Sequence, residues 1–366
     1  MYKKLKLIMV ILAVILLTAG CGETAQRITT SVAEGEMKVT YIDIGQGDAT
    51  LIQTNGAAML IDTGVYEQKD ILMTELSEAG VEELDYLILT HPDADHIGAG
   101  DVVIENYDVQ NVIMPDLERD TKAYEYAVEA IEKEAVNVIN PDVGQEYDLG
   151  DARFVIVSPY KVNENDSNNS SVGIKLVHGD NTFLFTGDAE ELEESEMVEG
   201  NLNLECDVLK LGHHGSRTAT GDRFLAASDP TWAVISCGVD NQYGFPHSEV
   251  VAKLEDDDVQ IYRTDTMGTV TAVSDGTIIA WNKAAGQMRS HSEESTKQEA
   301  AASEKTVDGS QEEQSVIYVL NTSTKKIHLP ECSSVETIAG GNRKDTSESK
   351  EVLEAEGYTG CKRCNP

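Results

Sequence analysis

His91-Pro92-Asp93-Ala94-Asp95-His96-Ile97-Gly98 follows directly on the apolar run Tyr86-Leu87-Ile88-Leu89-Thr90. A short apolar run bounded by polar residues predicts a buried strand. The two imidazoles and two carboxylates then sit in the turn leaving its C-terminal end, where open α/β sheets place their ligands. Adjacent nitrogen and oxygen donors of borderline-to-hard character suit a divalent metal, or a pair of them. A polar turn with Asp95 as helix N-cap would need one carboxylate and no imidazole. The stretch therefore predicts a metal centre.

Working outward, residues 38–44, 49–52 and 58–61 predict strands, the third ending at Asp62-Thr63-Gly64, and 71–79 a helix. Downstream, 121–135 predicts a helix and 154–157 a strand. Residues 171–177 and 182–186 predict a hairpin closed by His178-Gly179-Asp180-Asn181, with His178 a surface turn residue. An acidic helix over 190–198 follows Thr186-Gly187-Asp188. A strand over 207–211 runs into Gly212-His213-His214-Gly215-Ser216, and another over 233–236 precedes Gly244-Phe245-Pro246-His247. Strands over 261–262, 268–273 and 277–281 close the domain. The strand–helix succession occurs twice, which predicts an α/β fold of two sheets with helices outside, a four-layer αββα sandwich.

The 366 residues carry 28 basic and 65 acidic side chains, a net charge of −37. Such a surface repels nucleic acid and anionic headgroups at long range and offers no basic groove. It admits a phosphate substrate, because bound metals invert the local field. Residues 1–20 read as a signal peptide, with Lys3, Lys4 and Lys6 ahead of an apolar run over 7–17. That run is shorter than the ~18 residues of a spanning helix. Leu17-Thr18-Ala19-Gly20-Cys21 resembles a bacterial lipobox, which implies lipidation of Cys21 and a place on the outer face of the membrane. An ordinary secretory signal is the alternative. Residues 21–36 read as a tether, 37–283 as a hydrolase domain, and 284–315 as a disordered linker of Glu, Ser, Ala and Gln. Residues 316–366 form a small module. Its His328, Cys332, Cys361 and Cys364 give four ligands for one structural tetrahedral zinc, with a disulfide and a free thiol as the rival. This tail resembles the zinc-binding module of Ada-type proteins, a small zinc-ribbon-like unit, with His328 in place of a cysteine. Cys206 and Cys237 border predicted strands and read as buried small residues.

Of eight histidines, His91, His96, His213, His214 and His247 fall in loops after predicted strands, and Asp188 does too. Residues 37–283 resemble the metallo-β-lactamase superfamily, and specifically the extracellular hydrolase domain of ComEC-type DNA-uptake competence proteins. The resemblance rests on Ile42-Asp43-Ile44-Gly45-Gln46-Gly47-Asp48-Ala49, Ile61-Asp62-Thr63-Gly64, Thr90 to Gly98, Asn168-Asn169-Ser170-Ser171, Thr186-Gly187-Asp188, and Leu209-Lys210-Leu211-Gly212-His213-His214-Gly215-Ser216. It implies two divalent ions, Zn or Mn. His91 and Asp93 would hold one; Asp95, His96 and a histidine of the 212–215 motif the other; Asp188 would bridge. His214 is favoured as that ligand, and His213 would then orient or contact substrate. The superfamily often has a further histidine some twenty residues before the bridging aspartate; here Asn168 and Asn169 stand there. The first site is thus oxygen-rich, which favours Mn²⁺ over Zn²⁺. His247 would contact substrate or protonate a leaving group, against a structural hydrogen bond. Asn169, Ser170, Ser216 and Thr218 are candidates for binding substrate; the last two are also ordinary turn residues.

The resemblance implies a surface-anchored, two-metal phosphodiesterase or nuclease acting on extracellular DNA, with catalytic roles for Asp95, His213 and His247. The membrane channel of ComEC-type proteins has no counterpart in these residues, so import would need a DNA-uptake channel partner. Two alternatives stand. One is another hydrolase of this fold acting on an envelope phosphodiester, such as a teichoic acid phosphorylcholine esterase, or a β-lactamase, against which the missing histidine and Asp93 both argue. The other is a non-enzymatic surface binding protein.

Overall fold

The computed structural model describes residues 32–285 and, further on, 318–322, 324–329, 335, 343–346, 350, 353 and 358–360. The signal peptide, Cys21, most of the tether, nearly all of the linker, and Cys332, Cys361 and Cys364 lie outside the described residues. The chain divides into two compact units, Met1–Glu293 and Glu294–Pro366.

In the first unit, β1 (Met37–Tyr41), β2 (Thr50–Thr54) and β3 (Ala57–Ile61) run as an antiparallel meander. After β4 (Glu83–Leu84), β5 (Tyr86–Ile88) joins β3 in parallel. Next come β6 (Asp108–Val109), which pairs with β4, then β7 (Asn111–Ile113) and β8 (Asn137–Ile139), each parallel to its neighbour in the sheet. The second sheet holds β9 (Glu146–Leu149), β10 (Ala152–Ser158), β11 (Gly173–His178), β12 (Asn181–Phe185), β13 (Val208–Lys210), β14 (Trp232–Ile235) and β15 (Gln260–Arg263) in reverse chain order. Its antiparallel half turns parallel at β12. The chain then returns to the first sheet, where β16 (Val270–Ser274) pairs with β1 and β17 (Ile279–Trp281) forms the edge.

Alternation of side chains along each strand sorts the core into layers. Met37, Val39, Tyr41, Met59 and Ile61 face Phe154, Ile156, Phe183, Phe185 and Val234 between the sheets. The intervening Leu51, Ala58 and Leu60 pack outward on helices Lys69–Glu78 and Lys122–Glu134. On the far side Leu184, Leu209, Ala233 and Ile235 meet helices Glu191–Glu199, Asp222–Ser228 and Ser248–Asp256. The four layers are therefore helix, sheet, sheet, helix, as the sequence pattern predicts. Cys206 and Cys237 are buried free thiols in this outer layer. Among the described residues no helix is long and apolar enough to cross a membrane.

Two expectations are corrected here. The first strand stops at Tyr41 rather than residue 44, because the Asp43 N–H leaves the ladder for Thr269 Oγ1 (3.1 Å). Residues 42–49 thereby become a loop at the mouth of the sandwich. His178 is no surface turn residue: it is buried, with Nδ1 2.8 Å from Ser274 Oγ, and ties the hairpin of the second sheet to β16 of the first.

In the second unit β18 (Tyr318–Asn321), β19 (Lys326–His328), β20 (Arg343–Thr346) and β21 (Thr359–Gly360) form a small sheet over Leu320, Ile327, Leu353 and Tyr358. His328 is buried at the end of β19, and its Nδ1 has no hydrogen-bond partner among the described residues.

The inter-sheet layer should dominate stability. Phe154 is fully buried and packs edge-on to Tyr86 (5.1 Å) and against Tyr147 (5.2 Å). Phe154→Ala should destabilise the chain by about 3–5 kcal/mol, read as a shift of the urea midpoint.

Candidate metal centre

The site is assembled where the parallel strands end. Asp62, one residue past β3, adopts a left-handed backbone (φ 58°). Its carboxylate accepts the Thr90 N–H (2.8 Å), the Thr90 hydroxyl (2.7 Å) and Nδ1–H of His96 (2.8 Å). Three donors on one buried carboxylate fix the His96 ring, so its Nε2 is aimed inward, 3.2 Å from Asp188 Oδ1. His91 has its Nδ1 against the hydroxyls of Thr90 (3.1 Å) and Ser171 (3.4 Å), which leaves Nε2 facing Asp93 and Asp188, 3.9 Å from each.

Helix Ala94–Ile97 carries Asp95 within its first turn, so Asp95 is not the N-cap; Asp93 is, and it makes no side-chain capping bond. Asp93 instead accepts the Ser167 hydroxyl (2.8 Å) while its other oxygen turns to His91. Asp95 lies 3.4 Å from Nε2 of His214.

The turn after β13 holds both His213 and His214 in left-handed conformations (φ 46° and 54°), a strained arrangement for residues with a Cβ. His214 donates Nδ1–H to the Ser236 carbonyl (3.0 Å), with Asp48 Oδ1 at 3.3 Å; its Nε2 points to Asp95 and Asp188 (3.6 Å). Asp48 is held in turn by the buried Lys210 ammonium (2.7 Å). Gly47, at φ 142°, lets the 43–48 loop close on the metal turn. A side chain there would run into the Asp95 carbonyl, and the next N–H, that of Asp48, bonds to it (3.1 Å).

Nε2 of His91, His96 and His214, together with Asp188 Oδ1, are buried and lack hydrogen-bond partners. Buried polar atoms are normally satisfied, so this convergent set fits metal ions. Ligand-type atoms of Asp48, His96, Asp188 and His214 lie within 4.8 Å of one another. Of these, Asp48 is engaged by Lys210 and sits on the Nδ1 side of His214, so it orients that ring while Asp95 faces its Nε2. The donors fall into two sets, His91 with Asp93 and His96 with His214 and Asp95, and Asp188 stands between them.

The electrostatics agree with this fit. Burial pulls the His214 imidazolium down, but Asp188 and Asp48 outweigh it and hold its pKa up to about 10. His96 is likewise buried, and Asp188 and Asp62 push it well above the ordinary range. Burial raises Asp188, but His214 and His96 hold it well below the usual carboxylate value. The metal-free site thus keeps protons where cations belong.

The other candidates divide. His213 is the outer of the two adjacent histidines: its Nδ1 lies 2.9 Å from Glu190 Oε1 and its Nε2 3.8 Å from Asp188. Glu190 also accepts the Thr218 hydroxyl (2.7 Å), and Thr218 meets Ser216 (2.8 Å), so both hydroxyls belong to the rim beside His213. His247 Nδ1 accepts the Arg217 N–H (3.0 Å) and its ring stands edge-on to Phe245, which gives it a structural hydrogen bond. Asn169 and Ser170 are engaged by neighbouring backbone groups. Asn169 Oδ1 accepts the N–H groups of Glu190 and Glu193, serving the start of helix Glu191–Glu199, and Ser170 Oγ accepts the Asn163 N–H. The next residue, Ser171, is the one that meets His91. Asp48, Asp62, Lys210, Ser171 and Glu190 contribute here without a role that the sequence pattern assigns. Asp48 and Asp62 stand in quoted motifs directly after glycine or a strand, the available signal.

Residues 42–239, more than half of the chain, match the family model of the metallo-beta-lactamase superfamily. Over 256 residues the chain is 32% identical to ComE operon protein 3 of Bacillus subtilis, covering 65% of this chain and 33% of the relative. It is 32% identical over 244 residues to competence protein ComA of Neisseria gonorrhoeae, covering 66% and 33%. It is 33% identical over 223 residues to recombination protein 2 of Haemophilus influenzae, covering 59% and 26%. The chain spans about a third or less of the length of these relatives. Among solved structures, the metallo-beta-lactamase fold protein YhfI from Bacillus subtilis aligns over 65% of this chain and 100% of its own, at 13% identity and a TM-score of 0.45.

Two outcomes follow for metal uptake. Ligation needs neutral imidazoles, so binding of Mn²⁺ or Zn²⁺ should release protons and tighten as pH rises toward the His214 value of about 10. Titration calorimetry in buffers of different ionisation enthalpy would show this, and proton-neutral binding would contradict it. Asp62→Asn, which loosens the His96 ring, should weaken metal affinity about 10–100-fold.

Proposed function

The chain belongs to the metallo-β-lactamase superfamily, and from that premise we propose that it is a two-metal phosphodiesterase acting on extracellular DNA. The observation that carries the reading is the set of buried, partnerless Nε2 atoms of His91, His96 and His214 beside Asp188. A binding module gains nothing from such a set, whereas a hydrolase needs it. Held there, a pair of divalent ions would acidify a water molecule and offset charge developing on phosphoryl oxygens.

The chain's own residues do the rest. Asp62 and the Asp48–Lys210 pair hold His96 and His214 in place, and Asp188 stands between the two donor sets. Glu190, at Nδ1 of His213, turns the Nε2 of that ring toward the open side next to Asp188. There the ring would orient or contact a bound substrate. Asn168 and Asn169, rather than a third histidine, stand some twenty residues before Asp188, so the first set is oxygen-rich and favours Mn²⁺.

The wider setting is part of the same proposal. Residues 1–21 support export and a lipid anchor at Cys21, and similarity to a competence protein supports a role in DNA uptake, for which a membrane channel would be the partner. The tail would hold a structural zinc through His328, Cys332, Cys361 and Cys364. The net charge of −37 favours a second reading, an envelope phosphodiester less charged than DNA.

Metal-stripped chain should cleave both plasmid DNA and bis-p-nitrophenyl phosphate once Mn²⁺ or Zn²⁺ is restored. Asp188→Asn should lower both rates by more than about 100-fold, beyond the usual cost of a second-shell change. Cleavage of the small ester alone would move the substrate to the envelope. No turnover with either metal would sink the enzyme reading.

A further inference from the structure

Resting on that phosphodiesterase reading, we propose that the ring of Tyr243 is a stacking platform for a nucleobase of a single-stranded substrate whose phosphodiester sits at the metal centre. Tyr243 is 54% exposed on the loop between β14 and helix Ser248–Asp256. Its inner face lies flat on Phe245, with centroids 5.3 Å apart and planes at 16°. Phe245 in turn meets His213 edge-on at 5.4 Å and His214 at 6.0 Å. Two ring-to-ring contacts therefore link an outward aromatic face to the histidine pair of the metal turn.

The loop holds that ring still. Asn241 donates to the carbonyls of Gly238 (2.9 Å) and Phe245 (2.7 Å), and accepts the N–H groups of Tyr243 (3.2 Å) and Phe245 (2.9 Å). Gly238 donates its N–H to Gln46 Oε1 (3.3 Å), which pins the loop to the one carrying Asp48. A large ring that is half in water yet backed by another ring and fixed by its neighbours adds little to the core. It binds a planar partner at low entropic cost, because nothing further needs ordering.

The chemistry selects the partner. Acidic side chains prevail in this chain, so a second phosphate gains nothing on the loop, whereas a base offers an uncharged π-face. Quaternary ammonium groups are recognised by cages of several aromatic faces; here one face is presented outward. Stacking on a single face is also indifferent to base identity, which suits a hydrolase without base-edge readout.

The test uses the full Mn²⁺-loaded chain, a short oligothymidylate and an abasic oligonucleotide of equal length. Tyr243→Ala should lower the kcat/KM ratio of base-bearing to abasic substrate about ten-fold, the scale of one lost base stack, and Tyr243→Phe should restore it. An oligonucleotide carrying iodouracil should photocrosslink to Tyr243, mapped by peptide mass spectrometry. An unmoved ratio with no crosslink at Tyr243 overturns the platform. Hydrolysis of bis-p-nitrophenyl phosphate without cleavage of either oligonucleotide overturns it too, while leaving a phosphodiesterase. If nothing turns over, the functional reading falls and the crosslink decides the platform by itself.

Discussion

The carboxylate of Asp62 holds the ends of two parallel strands in one hydrogen-bonded knot. It receives the backbone and hydroxyl of Thr90 at the end of β5 and the ring of His96 one short turn later. An uncompensated buried carboxylate is costly, so the knot persists only because all its donors are supplied at fixed positions. The same demand recurs across the site. Asp48 is satisfied by Lys210, Asp93 by Ser167 and Glu190 by His213 and Thr218. Asp188 has no comparable partner and faces four imidazole nitrogens instead, those of His91, His96, His213 and His214. Each of these carboxylates thus has at least one protein donor, while Asp188 faces only imidazoles.

The two donor sets are unequally built. His96 is backed by a carboxylate and His214 by a carbonyl with a carboxylate beside it, and these rings are nearly inaccessible. His91 is backed only by two hydroxyls, and its companion Asp93 is 43% exposed in its side chain. Second-shell carboxylates raise ligand basicity and fix ring orientation. All three rings are equally buried, so the halves differ in the charge behind their rings: His96 and His214 are the more firmly oriented.

Much of this was legible in the sequence where the chemistry is local. Short continuous apolar runs at 57–61 and 183–185 mark strands buried on both faces, and the crowding of His and Asp in 91–96 announces ligands within one turn. Contributions that depend on distant partners were not legible. Asp62 acts through a ring 34 residues away, and Asp48 through a lysine 162 residues away. The local sequence sets both at turns leaving a strand or a glycine but does not reveal the partners they support. Asn169 and Ser170 are illegible for the opposite reason: polar residues in a motif resemble substrate contacts, while here their side chains bond backbone groups of the neighbouring loop and helix. Strands β7 and β8, three residues each, are too short for periodicity to register.

The first sheet has one topological property with consequences for synthesis. β1 lies between β2 and β16, and Lys38 pairs with Val273. A nascent chain emerging in order can form the meander, the parallel strands and the whole second sheet while one edge of β1 still waits for its partner. That open row of backbone donors and acceptors is a template for pairing with another chain. The hydrolase unit is consequently most vulnerable to intermolecular association just before its last two strands appear, and any holding factor acting on it has to persist until they do.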